Sequence, residues 1–413
     1  MAAKLRCHVL FDSGDALGKV LSFVCPRDGS RDLVSSVGKG FRDAWRLRVR
    51  GTYRAIGRCY VTSDVTVMPF KVWPGPRGGV IVPVNAGERP GLYFFDRRAG
   101  PPRWGSAIYC ELLEDVQAFC SVNDTRAWVC SSYRSRYDAN EIALVRYDGP
   151  GDVRWDRATR ELGPIMTWQR CYEIQDIALS PLGTALEAPS SNSAGPTILV
   201  LTLNRETFIG QVEVFGPDGG LCYIHAGPGV GLCEPQGFCV FGNLCFVAAT
   251  YNHCVVIFQW TTGVHVSTVG QLGPSFFSPK IDVDAFGRWD VPGNSEPCFF
   301  DEPYAVAARG DTLVVAERRG DRVQLFRFPH GFWGERELLQ VIRPEVVLGH
   351  PRAFGVCFDD DAVTTVGDEF GAVVSRCAFA LSQPALLFYE VNDTGGATEC
   401  VSCAVVDAPS APP

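Results

Sequence analysis

The chain of 413 residues contains no run of 18 or more apolar residues, so no stretch is long enough to cross a bilayer as a helix. Net positive charge is also missing: the formal charge is -8 and the isoelectric point lies near 5.4. Nucleic-acid binders gain affinity by neutralising phosphates with Lys and Arg, so this balance speaks against one. An export signal is not expected either. Only Val9-Leu10-Phe11 separates Lys4 and Arg6 from Asp12, which is too short for the apolar core of a signal peptide. The expected compartment is therefore reducing, the cytoplasm or the nucleus. There are 17 cysteines, an odd number, and several stand inside apolar strands, including Cys120, Cys130, Cys239, Cys245, Cys254 and Cys357. They are expected to be free thiols that pack as small hydrophobes.

Familiar catalytic and metal patterns are absent as well. The six histidines form neither a His-x-His pair nor a His-Glu-x-x-His zinc motif. No Gly-x-Ser-x-Gly elbow, P-loop or dinucleotide fingerprint occurs. Cys400-x-x-Cys403 has no second pair to complete a zinc site. Asp359-Asp360-Asp361 lacks the alternating oxygens and closing Glu of a calcium loop. No cofactor and no metal are expected, and the leading expectation is a protein without enzymatic activity.

What the chain does have is a phrase that recurs six times. Its clearest copies are Glu234–Trp260, EPQGFCVFGNLCFVAATYNHCVVIFQW, and Glu302–Phe328, EPYAVAARGDTLVVAERRGDRVQLFRF. Each runs Glu-Pro, an apolar strand, Gly with Asn or Asp, a second apolar strand, a polar turn and a third apolar strand. Weaker copies stand at Gly79–Asp96, Val116–Asp148, Ile174–Gly216 and Pro351–Phe379, and outer fourth strands are expected at Ser106–Leu113, Leu221–His225, Val264–Val269 and Leu338–Ile342. A unit of short antiparallel strands cannot bury its faces alone and must stack on copies of itself. The fold class expected is all-β, a six-bladed β-propeller of four-stranded blades. A seventh blade from Tyr53–Phe70 is the alternative count. Ring closure is expected to pair Gly57–Val67 with Ala385–Val391 or Val401–Val406, which removes two sheet edges.

The phrase resembles the NHL-repeat propellers. The residues that carry the likeness are Pro235-x-Gly237, Gly242-Asn243-Leu244 and Tyr251–Phe258, then Arg319-Gly320-Asp321-Arg322-Val323-Gln324-Leu325-Phe326 in the next copy. Cys254 stands where the family prefers Arg, and Glu317 where it prefers Asp. The likeness is good over two blades and loose over the other four.

Residues 1–50 are punctuated differently and read as short helices, followed by the propeller over 51–407 and a disordered tail over 408–413. Leu17, Val20, Leu21 and Val24 fall at i, i+3, i+4 and i+7, one stripe of a helix that Pro26 stops. The stretch Leu17–Trp45 is similar to an F-box through Leu21-Ser22-Phe23-Val24, Pro26-Arg27-Asp28, Leu33-Val34-Ser35 and Lys39-Gly40-Phe41-Arg42. That likeness implies binding to the adaptor subunit of an SCF ubiquitin ligase through Leu17, Val20, Leu21, Phe23, Pro26, Leu33, Val34 and Phe41. The other reading is a helical cap packed on the propeller.

Propellers bind through the loops on one face. The residues leading into the inner strands are Gln117, Asp176, Gln236, Tyr304 and Arg352. The turns before the third strands carry Arg134 and Arg136, Asn204-Arg205-Glu206, Tyr251-Asn252-His253, Arg318 and Arg319, and Asp368-Glu369-Phe370. Arg and Tyr dominate interface hot spots, so the expected protein-binding set is Arg134, Arg136, Gln236, Tyr251, Tyr304, Arg318, Arg319, Arg352 and Phe370. His253 is expected to shape a turn. The alternatives are a structural subunit of a larger assembly, or a metal-dependent lyase or lactonase of the propeller type.

Overall fold

The computed structural model describes residues 53–60, 71–75, 80–84, 91–96, 103–108, 116–123, 126–131, 141–147, 158–160, 166–167, 172–180, 196–217, 219–225, 232–270, 298–320, 322–342, 352–359, 362–368 and 385–391. The expected helices of 1–50, the F-box-like residues and the tail of 408–413 lie outside the described residues.

Six antiparallel sheets follow one another along the chain. Blade one has β2 (Trp73–Pro74), β3 (Val80–Val84), β4 (Gly91–Asp96) and β5 (Arg103–Ile108). Blade two has β6 (Val116–Asn123), β7 (Arg126–Ser131) and β8 (Glu141–Tyr147), with short β9 (Ala158–Arg160) and β10 (Met166–Thr167) both paired to β8. Blade three has β11 (Tyr172–Leu179), β12 (Ile198–Asn204), β13 (Ile209–Phe215) and β14 (Leu221–His225), plus β15 (Leu232–Cys233) against β13. Blade four has β16 (Pro235–Phe241), β17 (Leu244–Ala249), β18 (Cys254–Gln259) and β19 (His265–Gly270). Blade five has β20 (Pro303–Arg309), β21 (Thr312–Glu317), β22 (Arg322–Arg327) and β23 (Glu337–Ile342).

Blade six takes β24 (Arg352–Asp359), β25 (Ala362–Asp368) and β26 (Ala385–Val391) from the far end of the chain and β1 (Tyr53–Tyr60) from the near end. Tyr53 pairs with Val391 and Tyr60 with Ala385. The sequence placed closure at Gly57–Val67; the paired strand is Tyr53–Tyr60, which overlaps it at 57–60, and its partner is Ala385–Val391, one of the two expected. Because β1 completes a blade and does not found one, the blade count is six. The third strand of that blade is Ala385–Val391; residues 371–379, where the repeat placed it, lie outside the described residues. The inner strands β2, β6, β11, β16, β20 and β24 touch in that order, and β24 touches β2 again, so the sheets form a ring.

The packing follows from the repeat. In blades four and five the second strands are wholly buried, because both faces meet a neighbouring sheet. Apolar residues therefore run without alternation there. Phe246, Phe258, Trp260, Phe326 and Phe328 are fully buried in the seams beside them. Each contributes about 1.5–3 kcal/mol by leaving water. Gly242 (φ 61°) and Gly310 (φ 58°) open the two-residue hairpin loops Gly-Asn and Gly-Asp, a turn that needs positive φ at its first central residue. The recurring Glu-Pro also has a backbone cause. Glu234 (φ 41°) and Glu302 (φ 53°) are left-handed, and the following proline starts the inner strand. The strained residue is pinned by its amide, which donates to the Phe208 carbonyl in one case and to His253 Nδ1 in the other.

Candidate functional site

The inner strands of blades two to six share a β-bulge. In each, one residue is left out of the pairing near the strand's start: Gln117, Gln175, Gln236, Tyr304 and Phe354. A bulge bends its strand and re-aims the neighbouring side chains. The residue after the bulge is Ala118, Asp176, Gly237, Ala305 and Gly355 in turn. Small residues are needed there because adjacent inner strands nearly touch. A methyl group on Gly237 would lie 2.8 Å from the Tyr304 carbonyl oxygen, and one on Gly355 would lie 2.9 Å from the Val72 nitrogen. Blade three alone puts a carboxylate at this position.

Asp176 is 8% exposed and lines a cavity of about 440 Å³ that runs between the inner strands of all six blades. Trp73 of blade one reaches across to it, with Nε1–H donating to Oδ1 over 3.1 Å. The Ile177 amide donates to the same oxygen over 3.0 Å, and the Phe238 backbone of blade four also holds the carboxylate. Burial raises the Asp176 carboxyl above its ordinary range; the nearby Lys71 charge and these hydrogen bonds pull it back. Lys71 Nζ donates to the Gln175 carbonyl, so blade one supplies both the cation and the indole that meet blade three. Around this pair the cavity is walled by Phe119, Val240 and Val356, with Ser121, Gln236 and Tyr304 as polar groups.

Three cavity cysteines obey the repeat: Cys120, Cys239 and Cys357 each stand three residues after a bulge. The Cys120 and Cys239 sulfurs meet the backbone of the next inner strand, at Leu179 and Ala308. Burial pushes the Cys120 thiol up to about 12 and raises that of Cys239 as well, so both are held as inert thiols. The cysteines of the described residues are free. Among the described residues no group of three or more His, Cys, Asp or Glu is placed to hold a metal ion.

At one end of the channel, Arg318 lies over the Tyr304 ring, 5.7 Å from its centroid, and pairs with Glu302 at 2.6 Å. Burial pushes the Tyr304 hydroxyl up to about 12. Arg319 is half exposed and 3.9 Å from Glu302. In blade three Arg205 pairs with Glu173 at 3.1 Å in the same way. Behind this rim, in the seam of blades four and five, Glu317 is fully buried and accepts from Arg322 Nε at 2.7 Å and Gln324 Nε2 at 2.8 Å. Beside it, Asp301 Oδ1 is buried without a hydrogen bond and lies 3.9 Å from His253 Nδ1. His253 itself holds a left-handed turn after the helical turn Thr250–Asn252.

The sequence-derived set thus divides. Gln236 and Tyr304 are bulge residues lining the cavity, and Arg318 and Arg319 stand with Tyr304 at its rim. Tyr251 is half-buried in the turn between β17 and β18. Arg352 begins β24. Arg134, Arg136 and Phe370 lie outside the described residues. Sequence reasoning missed Lys71 and Trp73, which precede and form a two-residue strand with no repeat signal.

No protein-family model and no curated protein matches this chain. Similar solved structures include the PQQ-bound aldose sugar dehydrogenase of Streptomyces coelicolor, 13% identical over 83% of this chain and 99% of that one, TM-score 0.48. A putative glucose dehydrogenase of Thermus thermophilus is 14% identical over 83% and 98%, TM-score 0.43. The β-propeller domain of Cps50 (Swd1) from Myceliophteria thermophila is 9% identical over 79% and 98%, TM-score 0.41. At such identity these likenesses concern the fold, which rests on the six sheets themselves. One expectation is not kept. Sugar dehydrogenases stand among the similar propellers, so the reading of this chain as a protein without enzymatic activity is withdrawn. Among the described residues no helix is long and apolar enough to cross a membrane.

Proposed function

We propose that this propeller binds a small polar molecule in its central channel, with Asp176 as the group that holds it. One observation carries the reading. At the position after the bulge, where blades two, four, five and six keep Ala or Gly, blade three buries a carboxylate that faces a cavity. Burying a charge is costly, and a site that breaks the local packing rule is where function is expected. The cavity also falls within the volume range of small-molecule sites. Asp176, a buried carboxyl raised by desolvation with the Lys71 charge nearby, is the kind of perturbed group that collects at functional sites. The test is a thermal-shift and calorimetry screen of small polar metabolites on the wild type and on Asp176→Asn, with turnover followed on every binder. Binding that is lost in the variant supports the channel; binding of equal strength in both overturns it.

A second reading concerns the rim. Arg319 is half exposed beside the Arg318–Tyr304 stack, an arginine and aromatic pairing suited to a protein segment. The NHL-like phrase supports a partner on that face, and the F-box-like Leu17–Trp45 supports an SCF adaptor as another. Adaptor capture by the wild type that is lost in Leu21→Asp and Phe23→Asp supports this; no capture by the wild type sinks it.

A further inference from the structure

We infer that the channel ligand carries no formal charge and presents several hydroxyl groups. This inference rests on the channel reading above and narrows it. Asp176 and Lys71 are the one acidic and the one basic side chain among the described residues that line the cavity, so with both ionised its formal charge sums to zero. Tyr304 and the Cys120 and Cys239 thiols stay neutral near pH 7, because burial disfavours their ionised forms. At the rim Glu302 pairs with Arg318 and Glu173 with Arg205, while Arg319 stands half exposed to water beside Glu302. An ionic ligand would bring an unmatched charge into a low-dielectric space, where desolvation outweighs distant attraction.

The polar groups also ask for hydroxyls. A carboxylate has about four acceptor positions, and the Trp73, Ile177 and Phe238 N–H groups leave Asp176 with one or more to offer a donor. Lys71 has three N–H donors and gives one to the Gln175 carbonyl, which leaves donors for an oxygen acceptor. The Gln236 side-chain amide, which lines the same cavity, can both donate and accept. A hydroxyl is the ligand group that answers a donor and an acceptor at once. The apolar walls suit the C–H faces between such hydroxyls. A zwitterion matches the net charge, but it must compete with the Asp176–Lys71 attraction that already exists.

The experiment compares glucose, glucuronate, glucosamine and serine, which are neutral, anionic, cationic and zwitterionic, by calorimetry at one ionic strength. Sorbitol and glycerol serve as further neutral probes. The wild type, Asp176→Asn and Gln236→Ala are used in parallel, and the two variants are checked for wild-type melting behaviour. The expected result is at least tenfold tighter binding of a neutral polyol than of any charged or zwitterionic probe, weakened at least tenfold in either variant. Tighter binding of glucuronate, glucosamine or serine that still depends on Asp176 overturns the inference and leaves the channel reading standing. No binding of any probe, or binding indifferent to both substitutions, overturns the inference and the channel reading together.

Discussion

Two buried carboxylates in this molecule behave in opposite ways. Glu317 lies in the seam of blades four and five and is 0% exposed. Its oxygens are taken by the Arg322 guanidinium, the Gln324 amide and the Asp301 amide, the last at 2.8 Å on Oε2. Asp176 lies in the channel, and its hydrogen-bond donors are neutral N–H groups; the Lys71 charge acts on it from nearby. Each carboxylate accepts three hydrogen bonds, but those of Glu317 close it into a seam with a bonded cation. Asp176 instead faces open volume. Burial alone therefore does not mark a functional group; what marks Asp176 is burial beside a cavity without a bonded counter-ion.

The largest expected effect breaks the Glu317 side. Arg322→Leu leaves a buried, unpaired carboxylate and is expected to cost about 3–5 kcal/mol in urea unfolding, with the channel unchanged in shape. Next, Gly237→Ala tests whether the position after the bulge really excludes side chains. The added methyl meets the Tyr304 carbonyl at 2.8 Å, and the overpacking is expected to cost about 1–3 kcal/mol. Asp176→Asn is expected to leave folding intact and to weaken ligand binding by about tenfold or more, about 1.4 kcal/mol.

A pH titration sharpens the contrast further. The Asp176 carboxyl is raised above 3.8 by burial, so the folded state binds its proton more tightly than the unfolded state. Its contribution is complete below that ordinary value and is lost as pH rises through the folded value. The stability of the wild type relative to Asp176→Asn should therefore fall with rising pH across this window. A rise would contradict the burial argument. The smallest effect belongs to Arg319→Ala. Its 3.9 Å pair with Glu302 is half exposed and screened, so stability should change by less than about 0.5 kcal/mol.

Much of the architecture was legible in the chain. The Gly-Asn and Gly-Asp turns and the unbroken apolar second strands identify blades four and five from sequence alone, because turn chemistry and double-sided burial leave local marks. The outer strand Leu221–His225 falls where it was expected, and closure uses Ala385–Val391 as anticipated, though its partner is Tyr53–Tyr60 and overlaps the expected Gly57–Val67 only at 57–60. The site was half legible. Asp176, Gln236 and Tyr304 were marked by their place at the start of inner strands. Lys71 and Trp73 were not, because side chains that cross a channel from a two-residue strand follow no period. Glu317 and Arg322 read as a variation on a turn phrase, since a pair five residues apart gives no sign that both partners are buried. Nothing in the sequence says that a bulge at Gln175 sets the next residue beside open volume; that follows only when six inner strands stand around one axis.

The central claim is that the channel at Asp176 is a ligand site. The most direct measurement is a crystal structure of the protein soaked with a neutral polyol such as glucose, set beside the same soak of Asp176→Asn. The account predicts ligand density within hydrogen-bond distance of Asp176 in the wild type and an empty channel in the variant. Ligand bound away from the channel, or bound in it equally well without the carboxylate, would contradict the account.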